Sequence, residues 1–520
     1  MMKNGMFHAA LAPLAAAGLA ATLSGIEARA QAPAIDADAI REMTAERERA
    51  AISLFREFLS IPNDAVYPEQ IARLINWMEP QFEARGFDVQ RIETAGSPLL
   101  LATLDNPMAD QTVLIYLQSD GQPVDPQAWD QPNPYAPVLK ERNADGDWEI
   151  IPWASLDSGI NPDWRIFARS ASDSKGPMTQ FLVAMDALNA AGVKPDFDMK
   201  VVIDTEEELG SPNLPEAVIE NRELLAADML LIFDGPPHAS NAPTVKFGAR
   251  GIVTIQIVAH GPRAPQHSGH YGNYAPNPAL HLAQILGSMK SQDGRVLIPG
   301  YYDGVEISDE VREILEAVPD DEEAIRAQLG FSRADAVAPT LQEAIQYPSL
   351  NIRGLEAGWV REEARTIIPA TATAEIDIRL VKESDWERLV GLVRDHISGL
   401  GYHILDRPPT DEDRVNHPYL VEFRHEFSYN AYRSDFDGPP GLLARAGMRN
   451  LYGEEPILIR TAGGSIPISP FVDTLGVPAA SVPTVNIDNN QHSPNENIRL
   501  GNFLEGISIL ISVLSQPLED

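Results

Sequence analysis

The chain has 520 residues, of which 44% are hydrophobic, and a formal net charge of -35. This length exceeds one ordinary hydrophobic core, so we expect two or more domains. The strong negative charge argues against binding of nucleic acid, and the absence of cysteine excludes disulfides and thiolate metal ligands.

The amino terminus has the pattern of a secretory signal. Lys3 precedes an apolar run from Ala9 to Leu23, and Ala28-Arg29-Ala30 is a small-x-small cleavage site. We therefore predict a signal peptide over residues 1–30, export of the protein and a periplasmic location. The apolar run is short for a bilayer span, and no later run reaches eighteen apolar residues, so a membrane anchor is the weaker alternative.

Apolar periodicity predicts an α/β fold for the first half of the chain. We expect helices over 37–60 and 68–85, then strands near Val89, over 99–104 and in the run that ends at Asp120. A loop rich in Pro, Asp and Trp is expected from 120 to 169. A helix then follows the sequence ARSASDSKG, and two β-branched runs end at Glu206–Glu208 and Asp234.

After Gly251, apolar and polar residues alternate as in a half-buried antiparallel strand. We expect a helix near 277–289, an acidic irregular insert to about 347, a strand at 371–380, a helix over 383–400 and a strand at 402–405. We interpret residues 252–406 as a domain inserted into an α/β domain that is formed by 31–251 and 407–520. The chain closes with an apolar helix near 507–514.

Four apolar runs lead to side chains that can bind metal, at Asp120, Glu206–Glu208, Asp234 and His492. Because ligands gather at the carboxyl ends of strands in open α/β sheets, we expect these side chains to lie together. Carboxylates at one sheet edge repel one another unless a cation holds them, so the pattern predicts a metal site. Asp173 is either the N-cap of the helix that follows it or a further ligand.

Eleven short motifs occur in one order between about residues 50 and 515: QSDGQPV, ARSASDSKG, TEEELGSPN, FDGPP, GARG, HSGHYGN, IPGYYDGV, TIIP, IRLV, GGSIP and HSPNE. Together they resemble the metallo-exopeptidase family of carnosinase, glutamate carboxypeptidase and acetylornithine deacetylase. The resemblance implies a zinc-exopeptidase-like catalytic domain, in which helices flank a central mixed sheet. It also implies that 252–406 form an α+β lid through which two chains dimerise.

The resemblance implies a set of metal ligands. It makes Asp173 the bridge between two zinc ions, Glu208 and His492 the other ligands of one ion, and Asp234 a ligand of its neighbour. Glu207 resembles the general base of the family, which takes the proton of the attacking water and gives it to the leaving amine.

One ligand position departs from the family motif, because Gln118-Ser119-Asp120 stands where the family has His-x-Asp. An amide oxygen is a poor zinc ligand. Either Asp120, which the resemblance makes a catalytic residue, accepts the Gln118 amide N–H and turns its oxygen to the metal, or Gln118 binds nothing. His238 is a further candidate ligand, and Ser174 replaces an aspartate of the family. We expect one tight zinc site and one weakened site, which manganese or cobalt can also fill.

The resemblance also implies a substrate pocket. His267 resembles the residue that reaches across the dimer to stabilise the oxyanion. Arg379 resembles the grip on a substrate carboxylate, and its alternative role is an ion pair with Asp377 or Glu375. The remaining residues expected in this pocket are Gly463, Gly464, Ser465 and Asn277.

We predict a metal-dependent exopeptidase that hydrolyses the amide bond of dipeptides or short peptides with a free carboxylate. The sequences IPGYYDGV and YPSLNIRGLEAG favour the dipeptidase branch of the family. An N-acyl amino acid amidohydrolase is the alternative enzyme, and an exported binding protein that has lost a metal ligand is the non-enzymatic alternative. The expected partners are a small substrate and a second copy of the chain, with no nucleic acid and no stable membrane span.

Overall fold

The structure, a computed structural model, describes residues 35–518. The predicted signal peptide and its cleavage site lie outside the described residues. Among the helices that are described, none combines the length and the apolar character needed to span a membrane.

An eight-stranded mixed sheet, called the central sheet below, carries the candidate site. Four neighbouring strands in its middle are parallel, so their carboxyl ends meet at one edge. In spatial order the strands are Asp88–Ile92, Leu99–Leu104, Asp198–Asp204, Thr112–Gln118, Met229–Ile232, Ala479–Ser481, Thr244–Lys246 and Ile457–Ile459.

Helices cover both faces of the central sheet, which explains why its middle strands are apolar on both faces. In Thr112–Gln118 every residue from Val113 onward is buried. On one face the helices Glu48–Leu59, Lys175–Ala191 and Leu500–Leu514 pack in the largest core, where Phe55 stacks on Phe503 with 4.7 Å between ring centroids. On the other face Leu214–Glu220 and Ser469–Leu475 cover a smaller core. The result is a helix-sheet-helix sandwich.

A second, five-stranded sheet has its own core and alternating burial. Burial alternates along the whole of Gly251–His260, as the sequence predicts. In spatial order its strands are Asn351–Glu356, Thr371–Leu380, Gly251–His260, Leu420–Tyr429 and His403–Leu405. The strand Leu420–Tyr429 lies beyond the predicted domain boundary at 406, yet it pairs with Gly251–His260 along nearly its whole length. Since the partner strand is far away in sequence, the local pattern gave no sign of this pairing.

Three other expectations differ from the structure. The predicted helix 37–60 is two helices, which end and begin on either side of Glu46–Arg47. The predicted loop 120–169 contains three strands of three to five residues, too short for a visible period, of which Arg165–Phe167 pairs with the tail strand Asn497–Arg499. The insert before residue 347 contains three short helices whose N-caps are Ser308, Asp321 and Thr340.

The remaining elements complete the described chain. The third sheet runs in the order Asn497–Arg499, Arg165–Phe167, Val138–Arg142 and Trp148–Ile151, and two ribbons pair Gly248–Ala249 with Tyr432–Arg433 and Gln266–His267 with Ile367–Ile368. The other α-helices are Ala37–Ala45, Pro68–Glu83, Arg222–Leu225, Ser268–Tyr271, Pro278–Met289, Asp309–Glu316, Glu322–Leu329, Leu341–Ala344, Trp386–Gly399, Asp411–Asn416 and Pro439–Tyr452.

Candidate metal centre

Asp173, Glu208 and His492 meet at the carboxyl edge of the central sheet. His492 Nε2 lies 2.9 Å from Asp173 Oδ2 and 3.3 Å from Glu208 Oε2. One ligand atom from each residue lies within 4.8 Å of the other two. Both carboxylates are buried, while the side chain of His492 is 53% exposed. The three residues that the sequence assigned to one ion are therefore brought together.

These residues fit a divalent cation. Ligand atoms that share one zinc ion at about 2.0–2.2 Å lie roughly 3–4 Å from one another, which agrees with the spacing found here. Two carboxylate oxygens and one imidazole nitrogen are also a donor set that suits zinc, with room left for a water or a substrate. The cluster is therefore a divalent-metal site by its donors and by its geometry.

The loop that carries Asp173 is held by a buried carboxylate that the sequence analysis did not single out. Glu496 accepts hydrogen bonds from the backbone N–H groups of Ser170, Ser172 and Asp173, at 2.8 to 3.0 Å. Its charge is balanced by Arg169, whose Nη1 lies 2.8 Å from Glu496 Oε2. The sequence did contain a signal, since Glu496 belongs to the HSPNE motif and Arg169 directly precedes the SASDSKG segment.

The turn that carries Glu207 and Glu208 is held by Asp120. The two Asp120 oxygens accept the backbone N–H groups of Glu207 and Glu208, at 3.1 and 3.0 Å. The alternative in which Asp120 accepts the amide N–H of Gln118 does not occur, because that N–H group is donated to Asp173 and Glu207. Asp120 instead fixes the turn on which the predicted general base lies.

Gln118 points its amide nitrogen at the carboxylates. Nε2 donates to Asp173 Oδ1 at 2.8 Å and to Glu207 Oε2 at 3.4 Å. The amide oxygen is buried and has no hydrogen-bond partner in the part of the chain that the structure describes. Next to it, Ser174 Oγ lies 2.5 Å from Asp234 Oδ1, to which its single proton donates, and 3.1 Å from Asp173 Oδ1. Asp234 is thus beside the cluster, but it is held by a hydroxyl group.

Burial and mutual repulsion shift the pKa values of the acidic groups upward. Burial, followed by the charges of Asp173 and Glu208, raises the pKa of Glu207 well above its usual range. Burial and Asp173 raise the pKa of Glu208 to about 8 and that of Asp234 to about 6. The hydrogen bond to Asp173 raises the pKa of His492 to about 9. Carboxylates buried this close together stay ionised only when a positive charge lies beside them.

His238 is neither a metal ligand nor an exposed side chain. Its Nε2 lies 3.0 Å from Asp320 Oδ1 and its Nδ1 lies 2.8 Å from Ser240 Oγ, so both ring nitrogens are in use. Asp320 also accepts the side-chain amide of Gln342, at 2.8 Å. The candidate ligand His238 therefore joins the loop after Asp234 to the acidic insert.

Two of the residues predicted to bind a carboxylate are in contact. Arg379 Nη1 donates to Ser465 Oγ at 2.7 Å, and its Nε also lies 3.7 Å from Asp377 Oδ2, the ion pair of its alternative role. Tyr429, which the sequence analysis missed, lies in the same place. Burial raises its pKa to about 12, Glu207 acts in the same direction, and Arg379 and a hydrogen bond with Ser465 oppose the shift.

A cavity of about 460 Å³ extends from Asp234 and Gln491, next to His492, to the Gly463-Gly464-Ser465 loop. Its far wall is formed by Leu341, Gln342 and Ile345 of the insert. The oxygen of the Gln342 amide is buried and has no hydrogen-bond partner among the described residues. The cavity therefore joins the metal cluster to the residues predicted to bind the carboxylate.

Two predicted site residues make no contact with the cluster. His267 is exposed, and its contacts are a hydrogen bond from the Gly269 N–H and a ring contact with His270. Asn277 caps the helix Pro278–Met289, accepting the Ala279 N–H at 3.0 Å. Their assignment to the oxyanion and to the pocket stays a prediction.

Comparisons with known proteins agree with this geometry. The chain is 25% identical over 475 residues to a Cys-Gly metallodipeptidase of Candida albicans, covering 87% of this chain and 90% of that protein. It is 24% identical over 480 residues to the human Beta-Ala-His dipeptidase, covering 88% of each. The crystal structure of an M20 family metallo-carboxypeptidase from Sulfolobus solfataricus superposes with a TM-score of 0.73 and 27% identity, over 89% of this chain and 98% of that one.

The model of Peptidase family M20/M25/M40 matches residues 137–516, which is more than half of the chain. The resemblance inferred from the motifs is thereby confirmed. This chain belongs to peptidase family M20/M25/M40 and is a metallopeptidase.

Proposed function

We propose that this protein is a metal-dependent dipeptidase that cleaves the amide bond of dipeptides and short peptides with a free carboxylate. Relatives of nearly full length bear the names Cys-Gly metallodipeptidase and Beta-Ala-His dipeptidase, which supports a dipeptide substrate over an N-acyl amino acid. The retained ligand cluster argues against a protein that only binds.

The observation that carries this proposal is the position of Glu207. It lies on the same short turn as the proposed ligand Glu208. Its Oε2 and Asp173 Oδ1 both accept hydrogen bonds from the amide nitrogen of Gln118. A bound divalent ion supplies polarisation of the attacked carbonyl and acidification of water. Glu207 accepts a proton from the attacking water and passes it to the leaving amine, so the carboxylate works as base and then as acid.

The far end of the substrate is held by Arg379. The guanidinium donates to the Ser465 hydroxyl, which lines the cavity of about 460 Å³ together with Asp234. The fork of N–H groups on a guanidinium matches the two oxygens of a substrate carboxylate. The volume of the cavity suits a peptide of a few residues.

A substrate panel tests this proposal. Metal-loaded protein is incubated with dipeptides, with the same dipeptides amidated at the C-terminus, and with N-acetyl amino acids, and the released amine is measured. We expect hydrolysis of the free dipeptides, with kcat/KM far above that for the other two sets. Preferential hydrolysis of N-acetyl amino acids would establish the amidohydrolase alternative. If no set is hydrolysed, the dipeptidase proposal is refuted in favour of a binding protein.

We propose zinc as the metal that serves this reaction, with manganese and cobalt as replacements that restore activity after chelation. Asp173, Glu208 and His492 supply two carboxylate oxygens and one imidazole nitrogen, a set with high affinity for zinc. Metal analysis of protein expressed in defined medium, followed by reactivation with each ion, tests this choice.

We propose a dimer formed through the second sheet and a site completed by His267 of the other copy. The exposed position of His267, away from the cluster of its own chain, supports this arrangement. His267→Ala and Glu207→Gln, each inactive alone, are expected to regain activity when subunits exchange, because one site of the mixed dimer is then intact. Failure to complement after demonstrated exchange contradicts the shared site.

We also propose that the protein is exported with cleavage after Ala30. The Ala28-Arg29-Ala30 sequence and the preceding apolar run support it. Amino-terminal sequencing of protein recovered from the periplasm is expected to begin at Gln31. Recovery of uncleaved chain from the membrane fraction would favour the anchor instead.

A further inference from the structure

The two oxygens of Asp173 face different surroundings. Oδ2 lies 2.9 Å from His492 Nε2, on the side of the metal cluster, and accepts the Gln491 amide N–H at 3.3 Å. Oδ1 accepts the Gln118 Nε2 amide N–H at the shorter distance of 2.8 Å, and it lies 3.1 Å from Ser174 Oγ, whose single proton points to the closer Asp234 Oδ1. A carboxylate that bridges two ions offers one oxygen to each, so the oxygen that would face a second ion here accepts an amide N–H.

Asp234 is satisfied in the same manner. Its Oδ1 accepts the Ser174 hydroxyl at 2.5 Å. It also shares its cavity with the half-buried ammonium group of Lys246, which donates to the Pro236 carbonyl at 2.7 Å. A Cβ atom placed on Gly235, the neighbour of Asp234, would lie 3.9 Å from Lys246 Nζ. The Lys246 ammonium therefore provides a fixed positive charge next to Asp234.

A second cation would meet the wrong chemistry at this place. Gln118 turns N–H donors toward the carboxylates, where a metal requires a lone pair. The Lys246 ammonium would repel an ion bound to Asp234. Among the described residues, the one cluster with three metal-binding side chains in reach of a common ion is Asp173, Glu208 and His492, and Asp234 does not belong to it. The donor set thus fits one ion and does not fit the second ion that the family resemblance implied.

We propose that this protein binds a single divalent cation per chain, and that Gln118, Ser174 and Lys246 replace the second cation as fixed donors and fixed charge. The catalytic role of the single ion rests on the proposed function. The number of bound ions does not, because it is measured without substrate. One ion without dipeptide hydrolysis refutes only the proposed function. Two ions together with dipeptide hydrolysis refute only the single-ion proposal.

Metal counting on the unmodified protein is the first test. The purified chain is saturated with zinc, dialysed against a weak chelator and analysed by plasma mass spectrometry, with protein measured by amino-acid analysis. We expect one zinc ion per chain, and the same number with manganese or cobalt. Two tightly held ions per chain overturn the proposal. Asp234→Asn is expected to keep the single ion, and loss of that ion would make Asp234 a ligand and also overturn it.

Variants then test which groups keep the second ion out. Gln118→His restores a lone pair, and Lys246→Met removes the charge while keeping the length of the side chain. The double variant is expected to bind a second zinc ion at least about tenfold more tightly than the unmodified protein in a calorimetric titration. A double variant that folds and still binds one ion overturns the assigned roles of Gln118 and Lys246. If the double variant does not fold, the count on the unmodified protein and on Asp234→Asn decides.

Lys200→Met is the matched control for Lys246→Met. Lys200 is also partly buried and also donates to backbone carbonyl groups, those of Leu224 and Ala226, at 2.8 and 2.7 Å. It has no contact with the metal cluster. Combined with Gln118→His, it is expected to leave the affinity for a second ion equal to that of Gln118→His alone. An equal gain from both lysine variants would trace the effect to general loss of charge and contradict a specific role of Lys246.

Discussion

Glu206, Glu207 and Glu208 are chemically identical neighbours with three different tasks. Glu206 faces away from the metal cluster and accepts the Ser97 N–H at 2.9 Å and the Asn213 amide at 2.7 Å. Glu208 lies in the cluster itself, next to His492. Glu207 lies between them, close enough to share the Gln118 amide with Asp173. The direction in which each side chain leaves the turn therefore separates structural support by Glu206 from the roles proposed for Glu207 and Glu208.

Glu207→Gln is expected to lower kcat by about 10²- to 10⁴-fold, because it removes the proton acceptor and keeps the side chain's shape. Metal content is expected to stay that of the unmodified protein, since no ligand changes. Kinetics with a free dipeptide and metal analysis on the same sample check both statements. Glu206→Gln is the control and should keep its activity. Equal kcat for Glu207→Gln and the unmodified protein would remove Glu207 from the mechanism.

Arg379→Ala is expected to raise KM for free dipeptides by about 10- to 100-fold. The reason is that the substrate loses a hydrogen bond to a charged group, which contributes roughly 1.5–3 kcal/mol. The amidated dipeptides lack the charge that Arg379 binds, so their KM should change little. Arg353→Ala is the control, because Arg353 lies on the adjacent strand and pairs only with Glu375, at 3.6 Å. A similar loss on free and amidated substrates would assign Arg379 a structural role.

Residue types and motifs were enough to predict which ligands meet, but they did not predict how their partners are arranged. Asp173, Glu208 and His492 were assigned from motifs and lie together. Of the two alternatives left open for Gln118, a contact with Asp120 is not found, because the amide N–H is donated to Asp173 and Glu207, and a sequence pattern does not display such partners.

At the scale of elements, the site is built from loops that are fixed by buried carboxylates. Asp120 holds the turn of Glu207 and Glu208, and Glu496 holds the loop of Asp173. In both cases the acceptor lies far away in sequence from the backbone groups that it binds. A ligand loop without a regular ladder of hydrogen bonds gains its rigidity from such acceptors.

Glu496→Gln is expected to weaken metal binding by about 10- to 100-fold although Glu496 does not belong to the metal cluster, because the loop of Asp173 loses one of its two acceptor oxygens and Arg169 loses its counter-charge. Breaking this buried pair should also cost about 3–5 kcal/mol of stability. Competition with a chromophoric chelator and urea unfolding measure the two effects. Glu505→Gln is the control. It alters a carboxylate whose Oε1 accepts a hydrogen bond from the Tyr452 hydroxyl at 2.8 Å, and it should leave metal affinity unchanged.

The elements themselves were predictable where their pattern is local. The helix Pro278–Met289 and the strand Thr371–Leu380 lie where periodicity placed them. The strands of three to five residues between 138 and 167 were missed, since each is too short for a visible period. The pairing of Leu420–Tyr429 with Gly251–His260 was not foreseen, because the two strands lie far apart in the sequence.

At the scale of the whole molecule, two sheets bring their ends to one site. The parallel strands of the central sheet deliver Gln118 and the loops of the ligands at one edge. The second sheet delivers Arg379 and Tyr429 from the ends of two of its strands, and the insert closes the cavity. The groups proposed for metal binding and proton transfer thus come from the central sheet, and the group proposed for carboxylate binding comes from the second sheet.

Ionisation of the site also makes the stability of the protein depend on pH and on metal binding. In the metal-free protein the pKa of Glu208 is raised from 4.5 to about 8, mainly by burial, and that of His492 is raised from 6.5 to about 9, mainly by its hydrogen bond to Asp173. A group with a raised pKa contributes stability that is present below its unfolded pKa and is lost as the pH rises through its folded pKa. Metal-free protein should therefore lose stability between about pH 5 and pH 9.

Metal binding has the opposite pH dependence, because the ligands must release their protons before the ion binds. The difference in Tm between zinc-loaded and chelated protein is thus expected to be small at pH 5 and to grow steadily toward pH 8. Differential scanning fluorimetry of both forms at fixed ionic strength measures it, and Glu208→Gln, which lacks one ligand, should flatten the trend. A Tm difference that is constant, or that shrinks as the pH rises, would contradict the coupling between this carboxylate cluster and the metal.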